Sequence, residues 1–298
     1  MKAAFETLAL VGHNDDARVA ESLAALAAHG LARGVRVLVD PGAATGLPAA
    51  VERCPETMFH TQADLLVAVG GDGTLLHAAH LAVGHALPIL GINRGRLGFL
   101  ADVTPENMLE SLDEVLLGHY TRDLRTMLDA TLSTAGGRDR TLRVLNDVVL
   151  QKWQTGRMLD FETWIDGAYV NTHGGDGLIV ATATGSTAYA LSCGGPIIQP
   201  DLDAVVMVPI CPHTLSDRPI VVSRRSRIEV RLVAREGIHA QVTGDGKLLG
   251  EMHGEANLAI STAPEQITLV HPPGHDHFHI LRSKLHWGRG ARRTDAEN

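Results

Sequence analysis

Four short, mostly apolar runs in the first part of the chain constrain its fold more than any other feature. They span residues 5–11, 35–39, 65–69 and 87–92. Continuous apolar strands that alternate with helical segments are typical of a parallel sheet covered by helices on both faces. A helical run with one apolar face follows the first strand, and Gly30 is predicted to end it. Residues 1–120 are therefore predicted to form an α/β domain with a Rossmann-like parallel sheet.

The chain changes character after about residue 120. Short β-branched runs then alternate with turn signals such as Asp166-Gly167, Gly174-Gly175 and Gly244-Asp245-Gly246. The runs cover 142–150, 161–165, 178–181, 205–208, 228–233 and 267–270. This pattern predicts a mostly β, sandwich-like domain over 121–275, followed by a C-terminal segment, 276–298, that is helical over 278–287 and frayed over 291–298.

Composition excludes two classes of partner. The 298 residues include 26 Lys and Arg against 34 Asp and Glu, a formal net charge of −8, which argues against a nucleic-acid partner. No stretch approaches the roughly 18 apolar residues that a membrane span requires. Glu6 interrupts the first apolar run, and no small-residue cleavage site follows. We interpret this run as a strand rather than a leader, and we expect a cytoplasmic protein with no membrane partner.

The first candidate site lies where the third apolar run leads into Gly70-Gly71-Asp72-Gly73-Thr74 and then into a helical segment. Glycines let the backbone approach a ligand closely, and the N–H groups at the start of a helix favour an anion such as phosphate. Asp72 would repel phosphate unless it serves a hydroxyl proton or a cation such as Mg²⁺. The alternative is a strand–helix turn in which Asp72 only caps the helix.

A second glycine loop follows the fourth apolar run, within LGINRGRLGFLADV at 90–103. Because the carboxyl ends of neighbouring parallel strands face one crevice, the two loops are predicted to share a ligand. Arg94 and Arg96 are candidate phosphate contacts there, although solvated arginines explain the pattern equally well.

The most unusual segment is GGDGLIVATATGSTAYALSCGGPIIQP, at 174–200. A predicted strand ends at Thr182, and small hydroxyl residues and glycines crowd the turn that follows. Such a turn suits a flat polar ligand held by hydrogen bonds. Upstream, Asn146-Asp147 interrupts an apolar strand, which a β-bulge or turn would also explain.

Together these segments resemble the NAD kinase family, which belongs to a wider superfamily with the diacylglycerol and sphingosine kinases. The matching blocks are GGDGT at 70–74, NRGRLGFL at 93–100, Asn146-Asp147, DGLIVATATGSTAYALSCGGP at 176–196 and PICPHTLSDRPIV at 209–221. The resemblance implies transfer of the γ-phosphate of ATP to the 2′-hydroxyl of the adenosine ribose of NAD, with Mg²⁺ or another divalent cation. It also implies a dimer or tetramer, and a C-terminal segment that packs back on the first domain.

The resemblance assigns roles to individual residues. Asp72, with Gly73 beside it, would contact the ribose hydroxyl and accept its proton. The ATP phosphates would contact Gly70, Gly71, Gly73, Thr74, Arg94 and Arg96. The other implied NAD contacts are His77, Phe99, Asn146, Asp147, Arg157, His173, Asp176, Thr187, Ala188, Tyr189, Ala190, Leu191, Ser192 and Lys247. Among these, Tyr189 would stack on a flat ring and Asp176 would lie near the nicotinamide. Asp147 stands where the family has Glu, and Lys247 where Gln is common.

Two other functions stay open at this stage. A lipid kinase of the same superfamily would keep GGDG but needs an apolar pocket for acyl chains, whereas 182–195 is polar. A non-catalytic nucleotide-sensing module would keep the loops without needing Asp72. The histidines of HPPGHDHFH, at 271–279, are expected to be surface or packing residues rather than metal ligands, because no matching distant cluster is evident.

Overall fold

The computed structural model describes residues 3–13, 16–43, 46–95, 98–101, 103–134, 136–153, 158–233 and 239–287. The chain divides into two compact units, the first made of Met1–Leu124 with Ile267–Asn298 and the second of Arg125–Gln266. The fraying expected over 291–298 lies outside the described residues. Within the described residues, no helix is long and apolar enough to cross a membrane.

The first unit contains a parallel sheet with helices. Its elements are β1 (Thr7–Gly12), α1 (Ala17–Ala32), β2 (Arg36–Val39), β3 (Glu52–Arg53), a 3-10 turn (Glu56–Met58), α2 (Phe59–Gln62), β4 (Leu65–Gly70), α3 (Asp72–Ala82), β5 (Ile89–Asn93) and α4 (Met108–Leu116). Two long strands run through both units, β6 (Thr121–Ser133) and β17 (Asn257–His271), and α6 (His277–Leu285) closes the described chain.

The strand order in this unit is β17-β5-β4-β1-β2-β3, with all pairs parallel. Every residue of β4 and β5 is buried, which is the pattern expected of central parallel strands. The expectation of an α/β domain is confirmed. The carboxyl ends of β4 and β5 lie side by side, with Gly70 paired to Asn93, so both glycine loops leave the same edge of the sheet.

The end of α1 differs from the prediction. Gly30 does not stop the helix; it is buried within it, and α1 continues to Ala32. The residue that ends the helix is Gly34, which has a φ of +76°. The N–H of Val35 then bonds the C=O of Gly30 at 3.0 Å, which satisfies a carbonyl of the last turn.

The second unit is a two-sheet β-structure. Its further elements are β7 (Arg140–Val144), β8 (Asp147–Lys152), β9 (Leu159–Ile165), β10 (Ala168–Gly175), β11 (Gly177–Thr182), a 3-10 turn (Gly185–Thr187), α5 (Tyr189–Ser192), β12 (Ala204–Ile210), β13 (Ile220–Ser223), β14 (Ile228–Leu232), β15 (Ala240–Gly244) and β16 (Lys247–Met252). One sheet follows the order β10-β9-β14-β17, with β6 and β7 attached, and the other follows β13-β12-β11-β8-β15-β16.

The apolar faces of these two sheets share one core, in which Phe161 and Val230 of one sheet pack with Leu178 and Val180 of the other. The alternate residues of β11, Ile179 and Ala181, belong to a separate core on the opposite face of their sheet. Strand β11 is therefore buried on both faces, which explains its unbroken apolar sequence. The expected sandwich-like β-domain is confirmed.

Two local predictions in this unit are wrong. The run 142–150 forms two strands rather than one, because the chain turns at Leu145-Asn146 between β7 and β8. Gly174-Gly175 is not a turn: it forms the end of β10, where Gly175 passes so close to the backbone of Ile210 that a Cβ would lie 2.9 Å from its carbonyl oxygen. Asp166-Gly167 and Asp245-Gly246 do form turns, with positive φ at each residue.

Candidate active site

The GGDG segment joins β4 to α3 at the carboxyl edge of the parallel sheet. Gly71 is the N-cap of α3, and Asp72 is the first residue of the helix. A Cβ on Gly70 would lie 2.2 Å from Oγ1 of Thr74, so only glycine allows this tight turn. Thr74 itself is buried, whereas Gly73 is exposed. The turn therefore presents its backbone and the Asp72 side chain at the sheet edge.

The second glycine loop holds the carboxylate of Asp72. The backbone N–H of Phe99 donates to Oδ2 of Asp72 at 2.9 Å, and that of Leu100 donates to Oδ1 at 3.2 Å. The N–H of Arg94 also bonds the C=O of Gly70 at 3.0 Å. Both carboxylate oxygens are thus fixed by main-chain donors from the loop that follows β5.

Gly98 makes this contact possible. A Cβ at this position would lie 1.9 Å from Oδ1 of Asp72, far closer than any real contact. In the described part of the chain, no side-chain capping hydrogen bond is found at the start of α3, and the carboxylate of Asp72 bonds the second loop instead. The capping role considered for Asp72 is therefore not the one that it has in the structure.

A cavity of ≈ 300 Å³ lies beside the first turn of α3, at the carboxyl ends of β1 and β2. Thr74 and His77 line it on the helix side, and Asp40 and Glu56 line it with carboxylates. Nε2 of His77 lies 2.7 Å from Oε2 of Glu56. His77 is therefore placed at this cavity rather than at the contact between Asp72 and the second loop.

The structure describes only one of the two arginines of the second loop. The Nε of Arg94 donates to the carbonyl oxygen of Arg18 at 2.8 Å, and its Nη2 lies 3.5 Å from Oε2 of Glu21. Its guanidinium is thus engaged with α1. Arg96 lies outside the described residues. Phe99 is half-buried, and Nζ of Lys284 in α6 lies 5.3 Å from the centre of its ring.

In the second unit, Asn146-Asp147 is held between two other segments. Oγ1 of Thr182 donates to the carbonyl oxygen of Leu145 at 2.6 Å, and the N–H of Thr182 donates to the carbonyl oxygen of Asn146 at 2.9 Å. From the other side, the carboxylate of Asp245 accepts the N–H groups of Leu145, Asn146 and Asp147 at 2.7, 2.8 and 3.3 Å. Hydrogen bonds from both sides therefore hold the loop between β7 and β8 in place.

Asp147 is buried at the centre of this arrangement, with 6% of its surface exposed. Burial, and secondarily the negative charge of Asp245, raises the pKa of Asp147 to about 6. A carboxyl group with that pKa changes charge close to neutral pH, and perturbed groups of this kind concentrate at functional sites.

The turn after β11 packs against the same loop. A Cβ on Gly185 would lie 2.1 Å from the carbonyl oxygen of Asn146, and the N–H of Gly185 donates to Oγ1 of Thr182 at 3.1 Å. Ser186 is fully buried and ties the turn together through Oγ, which accepts the N–H of Ile198 at 2.9 Å. These bonds fix the turn that leads into α5.

The residues of this turn and of α5 differ in exposure. Ala190 is fully buried in the core, while Thr187, Ala188 and Leu191 are half-buried and Ser192 is exposed. Tyr189 is 39% exposed, so its ring is available for stacking.

The remaining predicted residues of the second unit are placed as follows. His173 is buried, with Nε2 2.9 Å from Oγ1 of Thr163 and Nδ1 2.8 Å from Oδ2 of Asp217. Asp176 is half-buried, and its Oδ1 lies 2.5 Å from Nζ of Lys152. Lys247 is exposed directly after the turn that contains Asp245. Arg157 lies outside the described residues.

Three residues in these networks were not among the predicted site residues. Asp245 and Thr182 carry the hydrogen bonds around Asn146-Asp147, and the buried Arg125 donates from Nη1 to Oγ1 of Thr184 at 3.2 Å. An Asp in a Gly-Asp-Gly hairpin signals only a turn, so nothing local indicated its second role. A buried Arg in an alternating strand leaves no local signal either.

Comparison with known proteins assigns the family. The family model of the ATP-NAD kinase N-terminal domain matches residues 9–120, and the family model of the ATP-NAD kinase C-terminal domain matches residues 145–271. The NAD kinase of Aromatoleum aromaticum is 40% identical over 295 residues, which are 98% of this chain and 98% of that protein. The NAD kinase of Thiobacillus denitrificans is 42% identical over 292 residues, 97% of this chain and 99% of that protein.

Two solved structures share the fold. The yeast NADH kinase in complex with NADH has a TM-score of 0.86 at 24% identity and covers 95% of this chain and 88% of its own. The NAD kinase from Archaeoglobus fulgidus in complex with ATP has a TM-score of 0.72 at 26% identity and covers 94% of this chain and 98% of its own. The chain therefore belongs to the NAD kinase family and is a phosphotransferase that acts on NAD.

Proposed function

We propose that this kinase transfers the γ-phosphate of ATP to the 2′-hydroxyl of the adenosine ribose of NAD, and that Asp72 is its catalytic residue. The observation that carries the proposal is the clamp on Asp72, in which the N–H groups of Phe99 and Leu100 fix both carboxylate oxygens. A carboxylate has about four lone-pair sites, so two remain to accept a hydroxyl.

The reaction requires one proton acceptor. The ribose 2′-oxygen forms a bond to the γ-phosphorus while the bond from that phosphorus to the β,γ-bridging oxygen breaks, and ADP leaves. The proton of the hydroxyl passes to the carboxylate of Asp72. Because the transition state of phosphoryl transfer is loose, a weak base suffices when it aligns the attacking oxygen. A carboxylate already fixed by two main-chain donors supplies that alignment without further ordering.

The residues of the second unit are proposed to bind NAD. The loop Asn146-Asp147 offers an amide and a carboxyl group, and Tyr189 offers an exposed ring for stacking. Lys247 and Ser192 are exposed and polar, which suits hydrogen bonds to ribose or phosphate oxygens. Asp176 keeps its proposed place near the nicotinamide, with Lys152 beside it. For His173, whose ring nitrogens are both engaged inside the unit, we propose an indirect role, through the placement of Asp217.

ATP is proposed to bind at the carboxyl edge of the parallel sheet, where Gly70, Gly71, Gly73 and Thr74 form the turn. Asp40 and Glu56 are the residues that would hold a divalent cation, Mg²⁺ by its chemistry, which would reduce the charge of the phosphates. The residues fit such an ion: the cavity beside α3 is lined by the carboxylates of Asp40 and Glu56, and oxygen is the ligand that Mg²⁺ prefers. Those carboxylates would repel a triphosphate that carried no cation.

We also propose that the protein self-associates as a dimer or tetramer in the cytoplasm. Apolar side chains are exposed on strands at the ends of both sheets of the second unit, Tyr169 and Val170 on β10 and Ile220 and Val221 on β13. Exposed apolar edge strands invite pairing unless a partner covers them. Light scattering should give two or four times the mass of the chain; a monomer at micromolar concentration would contradict self-association.

The substrates are tested with the purified chain and separate donors and acceptors. Initial rates are measured with ATP or inorganic polyphosphate as donor and with NAD, NADH or diacylglycerol as acceptor. The product is identified by a dehydrogenase that uses only the 2′-phosphorylated coenzyme. We expect product from ATP with NAD and none from the lipid. Turnover of the lipid, or a product that the dehydrogenase does not accept, would contradict the proposal.

A further inference from the structure

A second cluster of chemically active side chains lies in the first unit, apart from the clamp on Asp72. Three ligand atoms, one each from Asp123, His271 and His275, all lie within 4.8 Å of one another. We propose that these three residues bind a divalent transition-metal ion of the Zn²⁺ class. This proposal departs from the expectation that the histidines of 271–279 are surface or packing residues. The proposal does not rest on the proposed function.

The distances suit one small ion. Nε2 of His271 lies 3.4 Å from Oδ2 of Asp123. Ligand atoms bound at about 2.0–2.1 Å to a tetrahedral zinc ion are about 3.3 Å apart. The rings of His271 and His275 stack, with centroids 3.7 Å apart, so the two imidazoles lie side by side next to Asp123, with one ligand atom of each residue within 4.8 Å of the others.

The ligand types select the class of ion. Two imidazoles and one carboxylate are a set that Zn²⁺, Co²⁺ and Ni²⁺ accept, whereas Mg²⁺ and Ca²⁺ prefer oxygen throughout. Three protein ligands leave a fourth tetrahedral position for water. A cavity of ≈ 190 Å³ borders His275 and is lined by the polar side chains of Thr104, Asn107 and Ser111, so His275 can be reached from solvent on that side.

The surroundings also suit a fixed ion. His271 is 3% exposed, Asp123 and His275 are half-buried, and a partly buried site holds a metal with less competition from solvent. The three ligands come from the start of β6, the end of β17 and the connection to α6.

A bound ion would join these three chain segments within the first unit. It would fix the direction in which α6 leaves the sheet, and α6 places Lys284 over the ring of Phe99. Phe99 is one of the two residues whose N–H holds Asp72. The expected effect of the ion is therefore on stability and on the position of α6, with a secondary influence on the clamp.

The test uses the full-length, tag-free protein, stripped with a chelator and then titrated with Zn²⁺ or Co²⁺. We expect one strong equivalent, visible d–d absorption of Co²⁺ typical of a four-coordinate site, a rise in Tm with Zn²⁺, and no displacement by millimolar Mg²⁺. Asp123→Asn and His275→Gln should each weaken binding by about 10- to 100-fold or more. Neither side chain is fully buried, so both variants should fold.

His279→Gln is the matched control. His279 is an exposed residue of the same histidine-rich segment and lies outside the three-residue cluster. It should bind metal like the unchanged protein. Equal binding by the control and by both ligand variants would overturn the proposal, because the metal would then be held elsewhere. Absence of a strong equivalent in the unchanged, folded protein would overturn it as well.

Discussion

Gly98 in the first unit and Gly185 in the second perform the same geometric task with different partners. Each lets a loop approach a neighbour so closely that a Cβ would overlap it, at 1.9 Å for Gly98 and 2.1 Å for Gly185. At Gly98 the overlapped atom is Oδ1 of Asp72, the end of a side chain. At Gly185 it is the carbonyl oxygen of Asn146, part of the backbone.

A methyl group at Gly98 would disturb the position of one side chain, whereas a methyl group at Gly185 would disturb the fold. A side-chain oxygen can rotate away from an intruding methyl group at little cost to stability, but it then leaves the two N–H donors that orient it. A carbonyl oxygen at the end of a strand cannot move without the strand. The first unit therefore has a site that can be disturbed without unfolding the protein, whereas in the second unit the loop that offers Asn146 and Asp147 is part of the fold itself.

The largest effect is expected from Asp72→Asn. The amide keeps the size of the side chain but cannot accept the ribose proton, and loss of general-base catalysis costs about 10²–10⁴ in rate. We expect kcat to fall by that factor, with Tm within a few degrees of the unchanged protein. Steady-state kinetics and thermal unfolding check this. The control is Asp139→Asn, an exposed Asp in the second unit, which should retain full activity.

Gly185→Ala should act mainly on stability. The new methyl group must push the carbonyl of Asn146, and overpacking of this kind against backbone costs about 1–3 kcal/mol or more. We expect a lower Tm together with a higher KM for NAD. Denaturant unfolding and NAD titration measure the two effects. Unchanged stability would show that the backbone here yields as readily as the side chain at Gly98, and the comparison would fail.

Gly98→Ala should show the opposite pattern. A displacement of Asp72 by about 1 Å is sufficient to cost up to 10²-fold in rate, while the carboxylate can rotate without moving the backbone. We expect kcat to fall by about 10- to 100-fold with little change in Tm. Gly95→Ala is the matched control, because a Cβ on Gly95, in the same loop, would meet nothing within 4 Å. A loss of activity in the control would mean that the loop tolerates no side chain at all.

The effect expected from Asp147→Asn depends on pH. Because burial raises the pKa of Asp147 from 3.8 to about 6, folding favours the protonated form. The resulting destabilisation is fully present above pH 6 and disappears as the pH falls from about 6 toward 4. The variant removes this charge, so its free energy of unfolding at pH 7.5 should be higher by about 3 kcal/mol.

Denaturant unfolding at several pH values checks the sign of that effect. The gain of Asp147→Asn over the unchanged protein should shrink toward zero near pH 4. A gain that grew on acidification, or a loss of stability at pH 7.5, would show that the carboxylate is stabilised in its charged form. The KM for NAD should rise at the same time if Asp147 binds the coenzyme, so stability and binding would change in opposite directions.

Local sequence patterns were sufficient for the central strands and the glycine turn of the first unit. Apolar strands, a glycine turn and a helical run fix the position of Gly70–Thr74 at the carboxyl edge of a parallel sheet, because each feature depends on neighbours in sequence. The bonds from Phe99 and Leu100 to Asp72 could not be predicted in the same way. They depend on how a loop more than twenty residues away closes over the helix start.

The second unit was harder to predict because not all of its strands have the continuous or alternating pattern of apolar residues that indicates a strand. β6 alternates charged and apolar residues, and β17 includes the polar stretch 261–266 with Pro264, so only its end, 267–270, was expected as a strand. The same limit applies to Asp123 and His271. They are far apart in sequence, and no local rule brings them together.

The most direct test of the clamp is a double-mutant cycle on kcat with Asp72→Asn, Gly98→Ala and the double variant, with unfolding measured for all three. If Gly98 acts only by letting the second loop hold Asp72, its substitution has nothing further to remove once the carboxylate is gone. We predict that the double variant is as slow as Asp72→Asn alone. A further 10- to 100-fold loss in the double variant, equal to the effect of Gly98→Ala in the unchanged protein, would contradict the account.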